Sequence, residues 1–445
     1  MTQTQSAPPA TRSPAPAPSG TAAQPAGPAP SRRSAVGQWF DGTPGRMRAF
    51  LILAAAMSVV FGLAASQGFS QSDGALDRAQ ANAAQLVRIQ AIHTNLVSAN
   101  ADATNAFLVG GLEPPEQRAH FVNSMAAAAG LIAEAATAQP ADRDVLGALN
   151  KTLITYGGLI EQARANNRQG LPIGSQYLKD ANSVLQDDSL PLVKALVEAN
   201  EKRVDTEFDG ISRGTIWVLV GGLLCLVVFG VTLRWLARRT HRYLNVPIAA
   251  GAALVLLTTA IGGIALASAS GSAKDTRNSE YERTLALSRA RIAAYDARSN
   301  ESLTLIARGS GEEFDKAYTA AATQVRDQLD KLDELGSKDS TLPSAWQQYQ
   351  GQHAMVRKDD TDGKWDDAVN RAVGKAERDT NSVNTFSAFD KDSATHLQDA
   401  GTAVQSKLKD ARDGLPPIGW LGVPIGIAAA LLVAWGMSQR LEEYR

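Results

Sequence analysis

The chain has 445 residues and a formal net charge of −1, from 44 basic and 45 acidic side chains. Because neither sign of charge dominates, we expect no nucleic-acid partner. A single cysteine, Cys225, excludes a disulfide framework and a thiolate metal site. The histidines form no ligand pair at helical spacing, so we expect neither a metal nor another cofactor.

Residues 1–45 form a segment dominated by Pro, Ala, Ser, Thr and Gln. Such a composition cannot bury enough apolar surface to offset the entropy lost on ordering, so it predicts a disordered tail. The tail is either a solvated end or a docking and phosphorylation segment. Thr2, Thr4, Thr11 and Ser13 are the candidate acceptors.

Four apolar segments predict membrane-spanning helices at residues 47–66, 214–234, 246–268 and 417–438. Each has close to the ~20 residues that a helix needs to cross the hydrocarbon core. Their centres contain no Asp, Glu, Lys or Arg, which disfavours a transporter or an ion pump. The fold class predicted is therefore an all-α membrane protein with four transmembrane helices.

Basic residues set the predicted orientation, because cytoplasmic loops are enriched in Lys and Arg. The N-terminal tail is basic, and so is the short loop at residues 235–245. The segments 67–213 and 269–415 are mildly acidic. We therefore expect a multi-pass protein of the plasma membrane, with both termini (the second at residues 439–445) in the cytoplasm and the two long segments outside. A signal peptide cleaved near Ser66 is disfavoured by its overlong preceding tail.

The two outer segments resemble each other at an offset of about 196 residues. Each has a helix, a glycine turn and a later Tyr-x-Gly, at Tyr156 and Tyr349. Apolar residues recur every three or four positions, and Gly and Pro break the pattern near residues 110–115, 139–140, 170–172, 308–311, 336–343 and 359–363. We expect two tandem extracytoplasmic four-helix bundles like those of chemoreceptor sensors, each standing as a rod off the membrane.

Catalytic motifs are absent from the sequence: it has no phosphate-cradling glycine loop, no HExxH, no GxSxG and no kinase motif set. The acidic run at residues 359–363 resembles a calcium loop but lacks a glutamate at the twelfth position, where Arg371 is nearest. We therefore expect a protein that is not an enzyme.

Two groups of side chains are candidate functional sites. Asn100 and its repeat equivalent Asp296 lie near the apolar seam of the first helix of each bundle, with His93 one heptad before Asn100. Polar groups near a bundle core can contact a ligand or a partner, or fix register. The alternative is that Ala99 and Tyr295 take the core while their polar neighbours face water.

The second group is the cytoplasmic arginine cluster, which the sequence suits to docking an acidic effector. The same side chains are equally suited to setting topology and contacting membrane lipid headgroups. A small-xxx-small pattern at Gly422 and Gly426 fits close helix packing within one chain or in a homodimer. The cluster consists of Arg234, Arg238, Arg239 and Arg242.

Two short motifs, WFDGTPGRMR at residues 39–48 and RLEEYR at residues 440–445, accompany this four-span, two-bundle layout. In both respects the chain resembles an actinobacterial family of four-span membrane proteins. That family is encoded beside a glutamine-binding lipoprotein and the soluble serine/threonine protein kinase G. The resemblance implies a relay, in which the lipoprotein binds aspartate, glutamate or asparagine outside and the kinase adjusts metabolism inside. No ligand-binding residue carries over from the family to this chain.

The leading hypothesis is therefore a transmembrane signal relay for amino-acid availability, with a solute-binding lipoprotein outside and a serine/threonine kinase inside. A second hypothesis is a direct small-molecule sensor that holds its ligand near Asn100 or Asp296. A third is a structural scaffold of the cell envelope. The first two differ in whether the outer segments bind a solute without the lipoprotein.

Overall fold

The computed structural model describes residues 42–109, 112–240, 245–336, 341–374 and 381–442, and every regular element among them is helical. The predicted tail therefore lies largely outside the described residues. The helices of the first half are α1 (Gly42–Val109), α2 (Pro115–Ala138), α3 (Arg143–Arg168), α4 (Ile173–Ser183) and α5 (Leu190–Thr240). Those of the second half are α6 (Val246–Thr276), α7 (Glu282–Ile306), α8 (Glu312–Glu334), α9 (Leu342–Thr361), α10 (Trp365–Ala372), α11 (Ser382–Asp413) and α12 (Ile418–Glu442).

Three apolar segments continue without a break into long polar helices. The helix α1 runs for 68 residues, and single π-helical turns join α4 to α5 and α6 to α7. Each stretch stays helical throughout, even at Pro191 of α5, which has no N–H to donate and lies just after a π-helical turn. Residues 235–240, predicted as part of a loop, instead extend α5.

The fourth connection, between α11 and α12, is interrupted at residues 414–417. The sequence there is Gly-Leu-Pro-Pro, and two consecutive prolines remove two backbone donors and disfavour the helical conformation of Leu415. Arg412, just before the break, forms ion pairs with Asp73 at 2.8 Å and with Asp77 of α1. These ion pairs hold the end of α11 against α1 of the first half.

The apolar ends of α1, α5, α6 and α12 share one core, whose largest members include Phe61, Phe229 and Met437. Close approach of α1 to α12 is achieved with glycine on both sides. A Cβ added to Gly62 would lie 2.6 Å from the carbonyl oxygen of Gly422 and 2.9 Å from the Cα of Gly426. The small-xxx-small pattern therefore packs within the chain, as one of its two predicted uses required.

The first half has its own core beyond the apolar ends, where α2, α3 and α4 pack on α1 and α5. Tyr156, Leu149 and Leu96 are among its most buried members. The breaks predicted at residues 110–115, 139–140 and 170–172 separate α1, α2, α3 and α4 as expected. The π-helical turn leaves α4 and α5 as one nearly continuous fourth helix.

The second half has a matching core built by α7, α8, α9 and α11, with Trp346, Tyr349 and Phe389 at its centre. Here the expected fourth helix is divided, because α10 ends at Ala372 and α11 begins at Ser382. The division follows from Gly374, which has a φ of 79°, and from Asn381, whose side chain caps α11 by accepting the Asn384 N–H at 2.9 Å.

The two halves pack side by side, a contact that the sequence analysis did not predict. A shared core joins α1 and α5 to α6, α7 and α11; it includes Leu76, Phe208 and Tyr281. Ion pairs also cross from α5 to the second half: Glu201 with Arg289 at 2.7 Å and Asp205 with Arg277 at 2.5 Å. Hydrophobic periodicity could not predict this contact, because it shows which face of a helix is apolar but not which other helix that face meets.

Candidate functional site

Asn100 lies where α1, α3, α4 and α7 meet, and it bridges the two halves. Its side chain is 1% exposed. Its Nδ2 donates to Asn182 Oδ1 at 3.0 Å and to Ser299 Oγ at 2.8 Å, and its Oδ1 accepts from the Tyr156 hydroxyl at 3.2 Å. Every polar atom of this amide is satisfied, so it fixes the register of α1 against three neighbours.

The alternative, that Ala99 enters the core and Asn100 faces water, is therefore wrong for Asn100. Ala99 is also fully buried. Both positions can be buried because α1 is covered on two faces, by α3 and α4 on one side and by α7 on the other. A helix packed on one side only would have exposed one of them.

Asp296 does not repeat the Asn100 arrangement. Its side chain is half-buried, and burial raises the pKa of the carboxyl to about 7. Its neighbour Tyr295 packs edge-on against Phe386 at 5.1 Å between ring centroids, and its hydroxyl is hydrogen-bonded to Ser98 of α1. Tyr295 thus contacts the second core, as the alternative required, while Asp296 is only half-buried.

His93 is not among the hydrogen-bond partners of Asn100. Its ring Nε2 is buried without a hydrogen-bond partner among the described residues. Burial lowers the pKa of this imidazole to about 4. The structure therefore brings Asn100 to a junction of the halves but leaves His93 and Asp296 as separate, uncompensated titratable groups.

Opposite pH dependences are expected from these two side chains. The pKa of Asp296 is raised on folding, so the folded state binds a proton that the unfolded state releases, and stability falls as pH rises from about 4 to 7. The pKa of His93 is lowered, so stability falls as pH drops from about 6.5 to 4. Asp296→Asn should make the protein more sensitive to acid and His93→Leu less so, measured by thermal unfolding across pH 4–8. Identical pH profiles for both variants and the parent would contradict the assignment.

Loss of the Asn100 amide should destabilise the contact between the halves. Asn100→Leu leaves the Tyr156 hydroxyl, the Asn182 amide oxygen and the Ser299 hydroxyl without their partner, at an expected cost of about 1–3 kcal/mol. Denaturant unfolding of the purified full chain measures this. Asn166→Leu is the matched control, because Asn166 is only half-buried and its amide bonds a carbonyl of its own helix, that of Gln162. Equal losses in the two variants would exclude a bridging role.

A second polar cluster, missed by the sequence reasoning, lies in the core of the second half. His353 Nδ1 lies 2.8 Å from Glu301 Oε2, and the His353 ring stacks on Tyr318 with 3.4 Å between centroids. His353 is 8% and Glu301 2% exposed. The sequence could have predicted that His353 is buried, because it lies on the same helical face as Trp346, Tyr349 and Val356.

The first half holds a smaller ion cluster around the buried Arg164. Arg164 pairs with Glu113 at 3.0 Å and Glu161 at 2.8 Å, and its guanidinium lies 4.1 Å from the ring centre of Phe121. The adjoining cavity, of about 20 Å³, has room for a water molecule but not for a solute.

The predicted arginine cluster is exposed where it is described. Arg234, Arg238 and Arg239 project from the end of α5 and form no ion pair with another described residue. Arg242 lies outside the described residues. Docking of an effector and contact with lipid headgroups both stay predictions for these side chains. Within the described part of the chain, no group of three or more His, Cys, Asp or Glu side chains is placed to hold a metal ion.

Five helical stretches are long and apolar enough to cross a membrane: Pro44–Val109, Pro115–Ala138, Ile173–Arg239, Val246–Ile306 and Ser382–Glu442. The family described as an actinobacterial sensor domain matches residues 75–209, from the outer part of α1 to the middle of α5. No curated protein and no solved structure matches the chain. The protein therefore has the all-helical build of a multi-pass membrane protein, and its residues 75–209 are similar to an actinobacterial sensor domain.

Proposed function

We propose that this protein is a plasma-membrane sensor whose two helical halves lie outside the cytoplasm and act on the inside through four spanning helices. The observation that carries the proposal is the continuity of α1 and α5. Both helices run from the matched sensor domain into the shared apolar core without interruption. A shift or rotation of such a helix is passed along its length as a rigid element.

Four spans, rather than five, are favoured by the surroundings of α2. Its apolar residues Phe121, Ala128 and Ile132 face the core of the first half. Its Ala135 carbonyl accepts a hydrogen bond from Gln85 of α1, well beyond the apolar end of that helix. The helix also carries Glu116 in its first turn. These features suit a helix packed beside the sensor domain and outside the membrane.

The exposed arginines at the end of α5 support an orientation with this end, and both termini, in the cytoplasm. A topology assay on intact cells tests it. A cysteine introduced at exposed Lys316 of α8 should be labelled by a membrane-impermeant maleimide, whereas one at Arg238 should be labelled only after lysis. The native Cys225 is buried, which keeps the background low. Labelling of the Arg238 position in intact cells would reverse the proposed orientation.

The partners we propose follow the resemblance: a solute-binding lipoprotein outside, and a cytoplasmic serine/threonine kinase inside. The relay would report the availability of glutamate- or aspartate-type amino acids. Deleting the gene should abolish kinase-dependent growth on glutamate or aspartate, and the full-length gene should restore it. Unchanged growth would exclude the relay. An envelope scaffold instead predicts partners whose association, captured by crosslinking in whole cells, ignores nutrients.

Charge reversal tests whether the arginine cluster docks the inner partner. The pair Arg238→Glu and Arg239→Glu should abolish output if the cluster binds an acidic surface. The labelling assay must first show an unchanged topology, because the same side chains also set orientation. Preserved output with preserved topology would assign these arginines to lipid contact alone.

Direct sensing is a second candidate function, favoured by a specific feature of the second half. Several side chains in its core bear hydrogen-bond donors that are buried without a partner among the described residues; they include Arg298, Tyr318, Tyr349 and Trp346. Each such donor costs about 1–3 kcal/mol in a folded protein. Groups of this kind are retained where a ligand or water completes them.

A further inference from the structure

Three of the unpaired donors of the second half, on Arg298, Tyr318 and Tyr349, lie in one neighbourhood. Tyr349 of α9 is fully buried, Tyr318 of α8 is 6% exposed and Arg298 of α7 is 7% exposed. The rings of Tyr349 and Phe386 lie 5.4 Å apart between centroids, and Tyr318 stacks on His353, one helical turn after Tyr349 in α9. The Arg298 guanidinium itself lies 4.7 Å from the ring centre of Phe386 of α11.

All three unpaired groups are donors. They are the Nη1 of Arg298 and the hydroxyls of Tyr318 and Tyr349. Glu301, a buried carboxylate of this core, is engaged by His353 at 2.8 Å. Asp102 of α1 also acts electrostatically on Arg298 across the junction of the halves, but no hydrogen bond or ion pair joins these two side chains. The cluster therefore has donors and positive charge to offer, and lacks an acceptor.

The corresponding place in the first half is complete. Tyr156 occupies the position in the first repeat that Tyr349 occupies in the second, and its hydroxyl donates to Asn100. In the second repeat the position of Asn100 is taken by Asp296. The Tyr349 hydroxyl nevertheless has no hydrogen-bond acceptor among the described residues. The two repeats thus share a helical frame but differ in the chemistry of one buried tyrosine.

We propose that Arg298, Tyr318 and Tyr349 form a binding site for a small carboxylate in the core of the second half, outside the matched sensor domain. A carboxylate accepts several hydrogen bonds at once and pairs with a guanidinium. Entry requires α9 to move slightly away from α8 and α7, because the ring of His353 lies directly on Tyr318 of α8 and is bonded to Glu301 of α7. Binding would therefore alter the contact of α7 with α1. Use of this change as a signal rests on the proposed sensor function, whereas the binding itself does not.

The test is calorimetry on the full-length protein in lipid nanodiscs, with acetate, L-aspartate and inorganic phosphate as separate probes. We expect acetate or L-aspartate to bind and phosphate not to bind. Tyr349→Phe removes only the hydroxyl and should weaken binding about 10- to 100-fold, the range for a hydrogen bond to a charged group. It should leave the unfolding midpoint unchanged or raise it, because the hydroxyl it removes has no partner.

The matched control is Tyr281→Phe. Tyr281 is also buried with an unpaired hydroxyl, but it lies in the core shared near the apolar ends. About 20 residues of helix separate it from Glu301, which corresponds to roughly 30 Å. This variant should bind as the parent does. No binding of any probe, binding of phosphate alone, or equal affinity of Tyr349→Phe and parent would each overturn the proposal; the first result would assign the donors to buried water.

The binding measurements and the growth measurements test the carboxylate site and the relay independently of each other. Loss of carboxylate binding in Tyr349→Phe without loss of growth on glutamate or aspartate would keep the site and detach it from the relay. Normal carboxylate binding in a protein whose deletion has no growth effect would leave the site standing and remove the relay.

Discussion

Replacing Gly62 with leucine is expected to prevent the normal packing of α1 against α12. A Cβ alone would lie 2.6 Å from the Gly422 carbonyl oxygen and 2.9 Å from the Gly426 Cα. Both contacts are with backbone, so no side chain can rotate away, and the helices must separate. Overpacking ordinarily costs about 1–3 kcal/mol, and we expect a loss above this range. The measurement is the thermal unfolding midpoint and the monodispersity of the purified protein in detergent.

Gly230→Leu is the matched control for this substitution. Gly230 lies in the apolar part of α5, is exposed, and has open space where a Cβ would be added. The same change in volume should therefore shift the midpoint little. A Gly62→Leu protein as stable as Gly230→Leu would show that α1 and α12 do not meet at these glycines.

Removing the Asp142 carboxylate should destabilise the first half more than any change at an exposed charge. Asp142 is 2% exposed. It accepts from Gln85 at 3.2 Å, Asn200 at 2.9 Å and Arg203 at 2.8 Å, so it ties α1 and α5 to the turn before α3. Asp142→Ala leaves two buried amides, and an arginine that is 29% exposed, without their hydrogen-bond acceptor. We expect a loss of about 2–4 kcal/mol in the free energy of unfolding.

Two further variants sharpen the Asp142 prediction. Asp142→Asn keeps an oxygen acceptor but loses the charge, so its loss should be smaller than that of the alanine variant. Lys316→Ala removes an exposed ion pair, with side chains 75% and 82% exposed, and should cost less than about 0.5 kcal/mol. Denaturant unfolding compares all three. Similar losses for Asp142→Ala and Lys316→Ala would show that the buried network contributes nothing specific.

Local chemistry made much of the helical organisation predictable. The prolines and glycines that separate α1 from α2, α7 from α8 and α9 from α10 act through the backbone of their own residues, so the breaks could be located without tertiary information. The apolar ends of the long helices were equally accessible, because hydropathy over about 20 residues depends on composition alone. The division between α10 and α11 was not predicted, because Gly374 lies in a mostly polar stretch without proline.

The candidate site could be predicted from the sequence only in part, because its contacts join residues that are distant along the chain. Asn100 was singled out by its place near an apolar stripe, and the structure buries it at the junction of both halves. Its partners Tyr156, Asn182 and Ser299 come from three other helices, and no periodicity within one helix identifies them. The pairing of Glu301 with His353 was hidden for the same reason.

The sequence by itself determined that this chain is helical, that its long apolar segments suit a membrane, and where most helices end. These properties arise from interactions between neighbours along the chain. Only the tertiary structure decided that the two halves pack together through a shared core, that Asn100 joins them, and that the donors around Tyr349 lie unpaired in one place. These features depend on which faces of distant helices meet, and burial at such contacts decides whether a polar group is solvated, paired or left unpaired.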